Sequence, residues 1–291
     1  MSGIVDDATT LAHQHLDAAT AEAWLRLVRP AVALVESTPE DVVVARLGGQ
    51  PRLPVGTPWP RLGKTTPLSY VGELDLGALA ATGHEPGIPL PTVGRLAFFV
   101  LDNSDGYGFA DGSDLDSYRV LHLTEEGEPT AIPKGAYTYT EQKLTARQVV
   151  TAPDNFDRAL PVALGIDVDA DYPAWLDHPA QASAFSDAIE RLRGPLPRHQ
   201  VGGWAIAVQG PVESEAAHVE MRRRSRKPDA VDPTGAVSQS LPNEDQWVLL
   251  FQVDSYDGVL WGDVGTLYWL ARTEDLARGD LSNTRFVMQC C

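Results

Sequence analysis

Cysteine is almost absent from this chain. Cys290 and Cys291 are the only two, and they are adjacent. Neighbouring cysteines cannot bridge without a strained ring, and they close no loop. No disulfide framework is therefore expected, and cysteine usage of this kind fits a reducing cytoplasm. With no third cysteine, a thiolate metal site has no ligand set. Long apolar runs are lacking as well. No stretch approaches the roughly 18 residues of a membrane span, and "MSGIVDDATTLAHQHLD" has neither the basic nor the apolar region of a secretory signal. Positive charge is scarce: 23 Lys and Arg stand against 40 Asp and Glu, and 23 − 40 = −17. Such a surface repels phosphate backbones and anionic lipid. Nucleic acid and membrane are excluded as expected partners, and a basic protein or peptide is favoured.

Catalytic signatures are missing or broken. Gly63-Lys64-Thr65 resembles the tail of a phosphate loop, but Pro58 stands where its first glycine belongs, and proline has no N–H to offer phosphate. Gly106, Gly108 and Gly112 approximate a dinucleotide loop with the wrong spacing. Residues 102–128 carry eight acids and one arginine, which would repel a pyrophosphate. Asp167, Asp169 and Asp171 alternate as cation ligands can, yet Tyr172 and His178 replace the glycine and glutamate of a Ca²⁺ loop, so a solvated acidic turn is expected. The seven histidines are scattered, and neither HExxH nor GxSxG occurs. The expectation is no cofactor, no bound metal and no catalytic residue.

What is present has the texture of an α+β protein, predominantly antiparallel β, large enough to bury a core without staples. Leu16, Ala19, Ala23, Trp24 and Leu27 fall at helical spacing until Pro30 interrupts, so residues 1–40 read as an N-terminal helical segment, with the helical pattern over 8–36. Short β-branched and aromatic runs follow at 42–47, 68–76, 94–102, 117–123 and 146–152. The segment 177–195 puts Ala184, Phe185, Ala188, Ile189 and Leu192 on one helical face. Strand texture returns at 202–210, 246–254, 265–271 and 285–290. Residues 226–245, rich in Pro, Ser, Asp and Gly, read as a mobile loop, and the basic run 221–227 as a helix end. Residues 41–291 thus form one β-rich domain. Within it, pseudo-repeats at about 42–125 and 200–291 share an order: a Gly-Gly segment, a strand carrying Glu73 and Asp75 or Gln252 and Asp254, then Gly-x-Leu-aromatic. Two such units packed face to face would leave a groove between them.

"GGQPRLPVGTPWP" (48–60) reads as a stiff crossing strap, its prolines fixing φ and Trp59 anchoring it by burial. "DGVLWGDVGTLYW" (257–269) reads in two ways. Asp263 is the hydrogen-bond hub of a Trp-packed turn, or Trp261 and Asp263 stand at the mouth of the groove and grip a ligand. The ligand-binding candidates are Trp59, Glu73, Asp75, Gln252, Asp254, Trp261 and Asp263.

The strap, followed by "PLSYVGELDL" and "GRLAFFVLD", and the closing "WVLLFQVDSYDGVLWGDVGTLYWLARTEDLARGDLSNTRFVMQC" resemble the YwqG family, also described as the DUF1963 domain. The resemblance runs from about residue 45 to the end. Val264 departs from it, standing where a second small glycine is common. The resemblance implies a bacterial cytoplasmic protein with a duplicated, mainly β or α+β fold and no established activity. Occurrence of such families near secreted-toxin genes implies an immunity-like or regulatory role. The function expected is non-catalytic binding of a basic protein or peptide. The alternative is an enzyme using Glu73, Asp75, Asp254 and Asp263 as groove carboxylates, hydrolase-like or metal-assisted.

Overall fold

A computed structural model describes residues 2–102, 115–153, 157–167, 175–225 and 247–290. Helices α1 (Ser2–His15) and α2 (Ala18–Leu25) open the chain. Asp17 starts α2 by accepting from the backbone N–H of Ala19 and Thr20, the bond a helix N-terminus needs. The helical reading then fails: Arg29–Glu36 is a strand, β1. In it Val32 and Leu34 are fully buried while Ala33 is half-buried and Val35 exposed, and pairing on both edges, with β10 and β11, fixes it as a strand.

The remaining strands are β2 (Ala45–Leu47), β3 (Arg52–Leu53), β4 (Arg61–Leu62), β5 (Thr66–Pro67), β6 (Ser69–Asp75), β7 (Arg95–Val100), β8 (Tyr118–Leu123), β9 (Glu128–Pro129), β10 (Gln142–Thr151), β11 (His199–Val201), β12 (Trp247–Asp254), β13 (Thr266–Arg272) and β14 (Arg285–Gln289). Between them lie α3 (Leu76–Ala81), α4 (Ala159–Ala163), α5 (Ser183–Arg193), α6 (Val212–Ser225) and α7 (Thr273–Ala277). The predicted strand over 202–210 is instead an irregular crossing, and the strand is the three residues before it. Gly202 and Gly203 at φ +68 and +69 end it. A Cβ on Gly202 would lie 1.8 Å from the Pro86 carbonyl oxygen, so no other residue fits. The expected loop at 226–245, the glycine motif at 106–112, and Asp169 and Asp171 lie outside the described residues.

Ten strands form one antiparallel sheet in the order β14-β13-β12-β11-β1-β10-β2-β6-β7-β8. The α+β, mainly antiparallel expectation holds. From the central pair β1·β10 the register reads the same outward on both sides. Ala33 faces Gln200 on β11, and Lys143 faces Arg46 on β2. Gln200 faces Gln252, and Arg46 faces Glu73. Both next hairpins break register at corresponding places, between Leu249 and Phe251 and between Tyr70 and Gly72. Asp254 then faces Thr266, and Asp75 faces Arg95.

The sheet curls until its two wings meet. Phe98 on β7 stacks on Phe251 of β12 at 4.5 Å and touches Trp269 of β13 at 5.0 Å. At the outer edges the Tyr118 hydroxyl donates to the Thr284 carbonyl at 3.1 Å. The space between the wings is thus filled by aromatic core, not left as an open groove. A second apolar cluster, around Trp24, Trp175 and Phe185, seats α1, α2 and α5 against the end of β10.

Candidate functional site

The seven candidates separate into four places. Trp59 is half-buried; its indole N–H donates to the Leu68 carbonyl at 2.8 Å and its ring meets Phe99 edge-on at 5.5 Å. That is an anchor for the strap. Trp261 is fully buried, its indole N–H donating to the Asp254 carbonyl at 3.0 Å. It cannot stack on a ligand at a groove mouth. Asp263 is exposed, and the hub of its turn is another residue: the Ser255 hydroxyl donates to the Gly265 carbonyl at 2.8 Å and accepts from the Trp261 N–H at 3.0 Å. A serine outside the Trp261-Gly262-Asp263 block gives no signal in the sequence.

Gln252 and Asp254 are built into the wing of β11–β14. Gln252 accepts from the Ile206 N–H at 2.9 Å and donates to the Arg198 carbonyl at 2.8 Å. Asp254 accepts from the Arg198 N–H at 2.9 Å and the Thr266 hydroxyl at 3.2 Å. Beside them the His199 Nδ1 accepts from the Asp254 N–H at 3.1 Å. That bond requires an unprotonated Nδ1, and burial pushes the imidazole down to about 4.

Glu73 and Asp75 behave differently. They line a cavity of about 250 Å³ together with Arg46, Arg52, Arg95 and Glu126. Glu73 lies between two guanidinium groups: Arg95 Nη1 donates to it at 2.8 Å and Arg46 Nε stands 3.9 Å away. Asp75 caps α3 by accepting from the Ala78 N–H at 2.8 Å. The sequence does not mark the arginines: strand register brings Arg46 beside Glu73 and Arg95 beside Asp75, and Arg52 reaches the cavity from β3, outside the ten-stranded sheet. The four carboxylates of the enzyme reading do not converge: Glu73 and Asp75 share this cavity, Asp254 is bonded on the other wing, and Asp263 is on the surface. Among the described residues no group of three or more His, Cys, Asp or Glu is placed to hold a metal. No described helix is long and apolar enough to cross a membrane.

The family model described as a domain of unknown function, DUF1963, matches residues 45–290. The chain belongs to the DUF1963 family. The match begins at the first residue of β2, so β1, central in the sheet of this DUF1963 chain, precedes it. Among curated proteins nothing matches the chain.

The turn from Ser255 to Gly265 is the other notable surface. Val264 has φ +53, the only positive value at a non-glycine among the described residues. A β-branched residue in that region is strained by about 1–2 kcal/mol. Its side chain is 56% exposed, and that of Leu260 63%. Asp257 and Asp263 flank them, also exposed. The turn beneath is braced: Tyr256 and Val259 exchange backbone bonds at 3.0 and 2.8 Å, the Tyr256 hydroxyl donates to the Thr140 carbonyl at 3.0 Å, and Trp261 packs edge-on against Tyr139 at 4.9 Å.

Proposed function

We propose that this protein is a non-catalytic binding module of cytoplasmic type, built from two duplicated β units, that docks a basic protein or peptide on the Ser255–Gly265 turn. The duplication is supported by the register correspondence outward from β1·β10. It differs from the sequence-based boundaries: each unit starts one strand earlier, at β1 and at β10, and each first strand pairs into the other unit.

The observation that carries the docking reading is Val264. Backbone strain in a braced turn is maintained only where the surrounding structure over-determines it, and here it holds an apolar side chain in solvent beside Leu260. Two apolar groups rimmed by Asp257 and Asp263, on a chain of net charge −17, complement an apolar anchor flanked by Lys or Arg. A rigid turn also limits the ordering entropy lost on binding. The test compares wild type with a Leu260→Ser, Val264→Gly double variant in quantitative capture from a lysate of the source cells. A basic protein retained by wild type, lost by the variant and released by raised salt is expected. Identical captured sets, with the variant folded, would refute the docking site.

A further inference from the structure

The two wings place different chemistry at corresponding register positions. Arg46, Glu73, Asp75 and Arg95 on one side stand where Gln200, Gln252, Asp254 and Thr266 stand on the other. Arg52 follows Gly48-Gly49 at the interval by which Ile206 follows Gly202-Gly203. On the β11–β14 wing the set is closed. Gln200 donates to the Gly202 and Trp204 carbonyls at 2.7 and 2.9 Å, and Gln252 and Asp254 are bonded as described above. At these positions that wing is held by two amides, a carboxylate and a hydroxyl, with no arginine. On the β2–β8 wing the same places carry three guanidinium groups around a cavity. Arg95 Nη2 is buried and has no hydrogen-bond partner among the described residues, as is also true of Arg285 Nε on the other wing. A buried donor left unbonded is destabilising.

From this contrast we infer that the cavity lined by Arg46, Arg52 and Arg95 binds a small zwitterionic carboxylate, of the amino-acid type. A guanidinium fork matches carboxylate or phosphate oxygens. The rest of the lining chooses between them. Glu73, Asp75 and Glu126 balance the three arginines, so a phosphate dianion would meet three like charges. A single carboxylate can face the more exposed Arg46 and Arg52 while an attached ammonium faces Glu126. The cavity, about 250 Å³, is below the roughly 300–1,000 Å³ of drug-sized sites, which limits the ligand to a few heavy atoms. This site is separate from the Ser255–Gly265 turn and does not depend on docking there.

The test is calorimetric titration of the full chain with L-alanine, acetate and inorganic phosphate, each to roughly 50 mM so that millimolar affinity is covered. Saturable binding of L-alanine is expected, with acetate at least tenfold weaker and phosphate weaker still. Arg46→Gln and Arg52→Gln, both at partly or fully exposed positions, should each weaken L-alanine at least tenfold with unfolding curves unchanged. Val264→Gly should bind L-alanine as wild type does, which separates this site from the docking turn. Absence of saturable L-alanine binding, phosphate binding tighter than L-alanine, or affinity unaltered by both arginine substitutions would overturn the assignment.

Discussion

His199 should impose a pH dependence on folding that one substitution removes. The imidazole is 2% exposed, accepts the Asp254 N–H through Nδ1, and its buried Nε2 has no partner among the described residues. Protonating Nδ1 would break that bond and leave a cation in an apolar core. The group is depressed from 6.5 to about 4 by burial. The unfolded chain therefore binds more protons than the folded one between those values. Stability contributed by the neutral ring is complete above about pH 6.5, and it is lost as pH falls toward 4. Linkage over that interval amounts to about 3 kcal/mol in total, and about 2 kcal/mol of it is lost between about pH 7 and pH 5. His199→Gln keeps an acceptor for Asp254 but cannot titrate. Urea unfolding of both proteins across this range should show the stability difference, wild type minus variant, falling by about 2 kcal/mol on acidification. With an unfolding entropy on the order of 0.6 kcal/mol/K for a chain of this length, the matching change in relative Tm is about 3 °C. A difference that stays constant with pH would refute the reasoning, since a buried, uncompensated histidine is what generates the slope.

Glu213, in the first turn of α6, should act with opposite sign. Burial and then the neighbouring Asp157 raise its carboxyl to about 8, so stability is full below about pH 4.5 and lost as pH rises through 8; Glu213→Gln should flatten thermal unfolding over that range, and a slope unchanged in the variant would count against it. Trp59→Ala should lower stability by about 2–3 kcal/mol, less than a fully buried tryptophan because the ring is half-buried, with loss of the bond to Leu68 included; an unaltered denaturation midpoint would dismiss the strap as an anchor. Glu220 on α6 pairs with the buried Arg285 and stands 3.8 Å from Arg272. Glu220→Ala leaves Arg285 charged and unpaired in the interior, which should cost about 3–5 kcal/mol; a loss under about 1 kcal/mol in denaturant unfolding would show the arginine reaching water instead.

Much of the fold was legible because local patterns agree with it. The hairpins β6–β7 and β12–β13 follow β-branched and aromatic runs bounded by Gly and Asp. Helix α5 buries Phe185, Ala188 and Ile189, three of the five residues read as its apolar face. The paired glycines at 48–49 and 202–203 both take positive φ. β1 was missed for a physical reason. Pro30 and the alanines around Val32 and Leu34 imitate a kinked helix, and only pairing with β10 and β11, more than a hundred residues away in sequence, makes the segment a strand. β11 is three residues long and carries no period of its own. Site residues fared by kind. Glu73 and Asp75 were visible as acids on a strand, whereas Arg46 and Arg95 needed the register. For Trp261 and Asp263 neither reading holds whole: Trp261 is packed as in the first and Asp263 is exposed as in the second, because sequence does not say which side of a turn faces the core.

The difference between the wings also bears on how a binding site arises in such a fold. Had both wings needed arginine at these positions for folding, both would carry it. Instead Gln200, Gln252, Asp254 and Thr266 bond backbone and one another on one side, while arginines at the matching positions leave a guanidinium nitrogen unbonded. Arg95 serves the scaffold by pairing with the buried Glu73, so on the proposal above it is Arg46 and Arg52 that answer chiefly to a ligand. The same comparison isolates Val264. Gly265 occupies the place of Gly94, each accepting a backbone bond from the residue after its strand's aspartate, Ser255 and Leu76. Only the wing containing Gly265 carries the braced turn with a strained valine. The two wings thus differ at the cavity on one side and at the turn on the other.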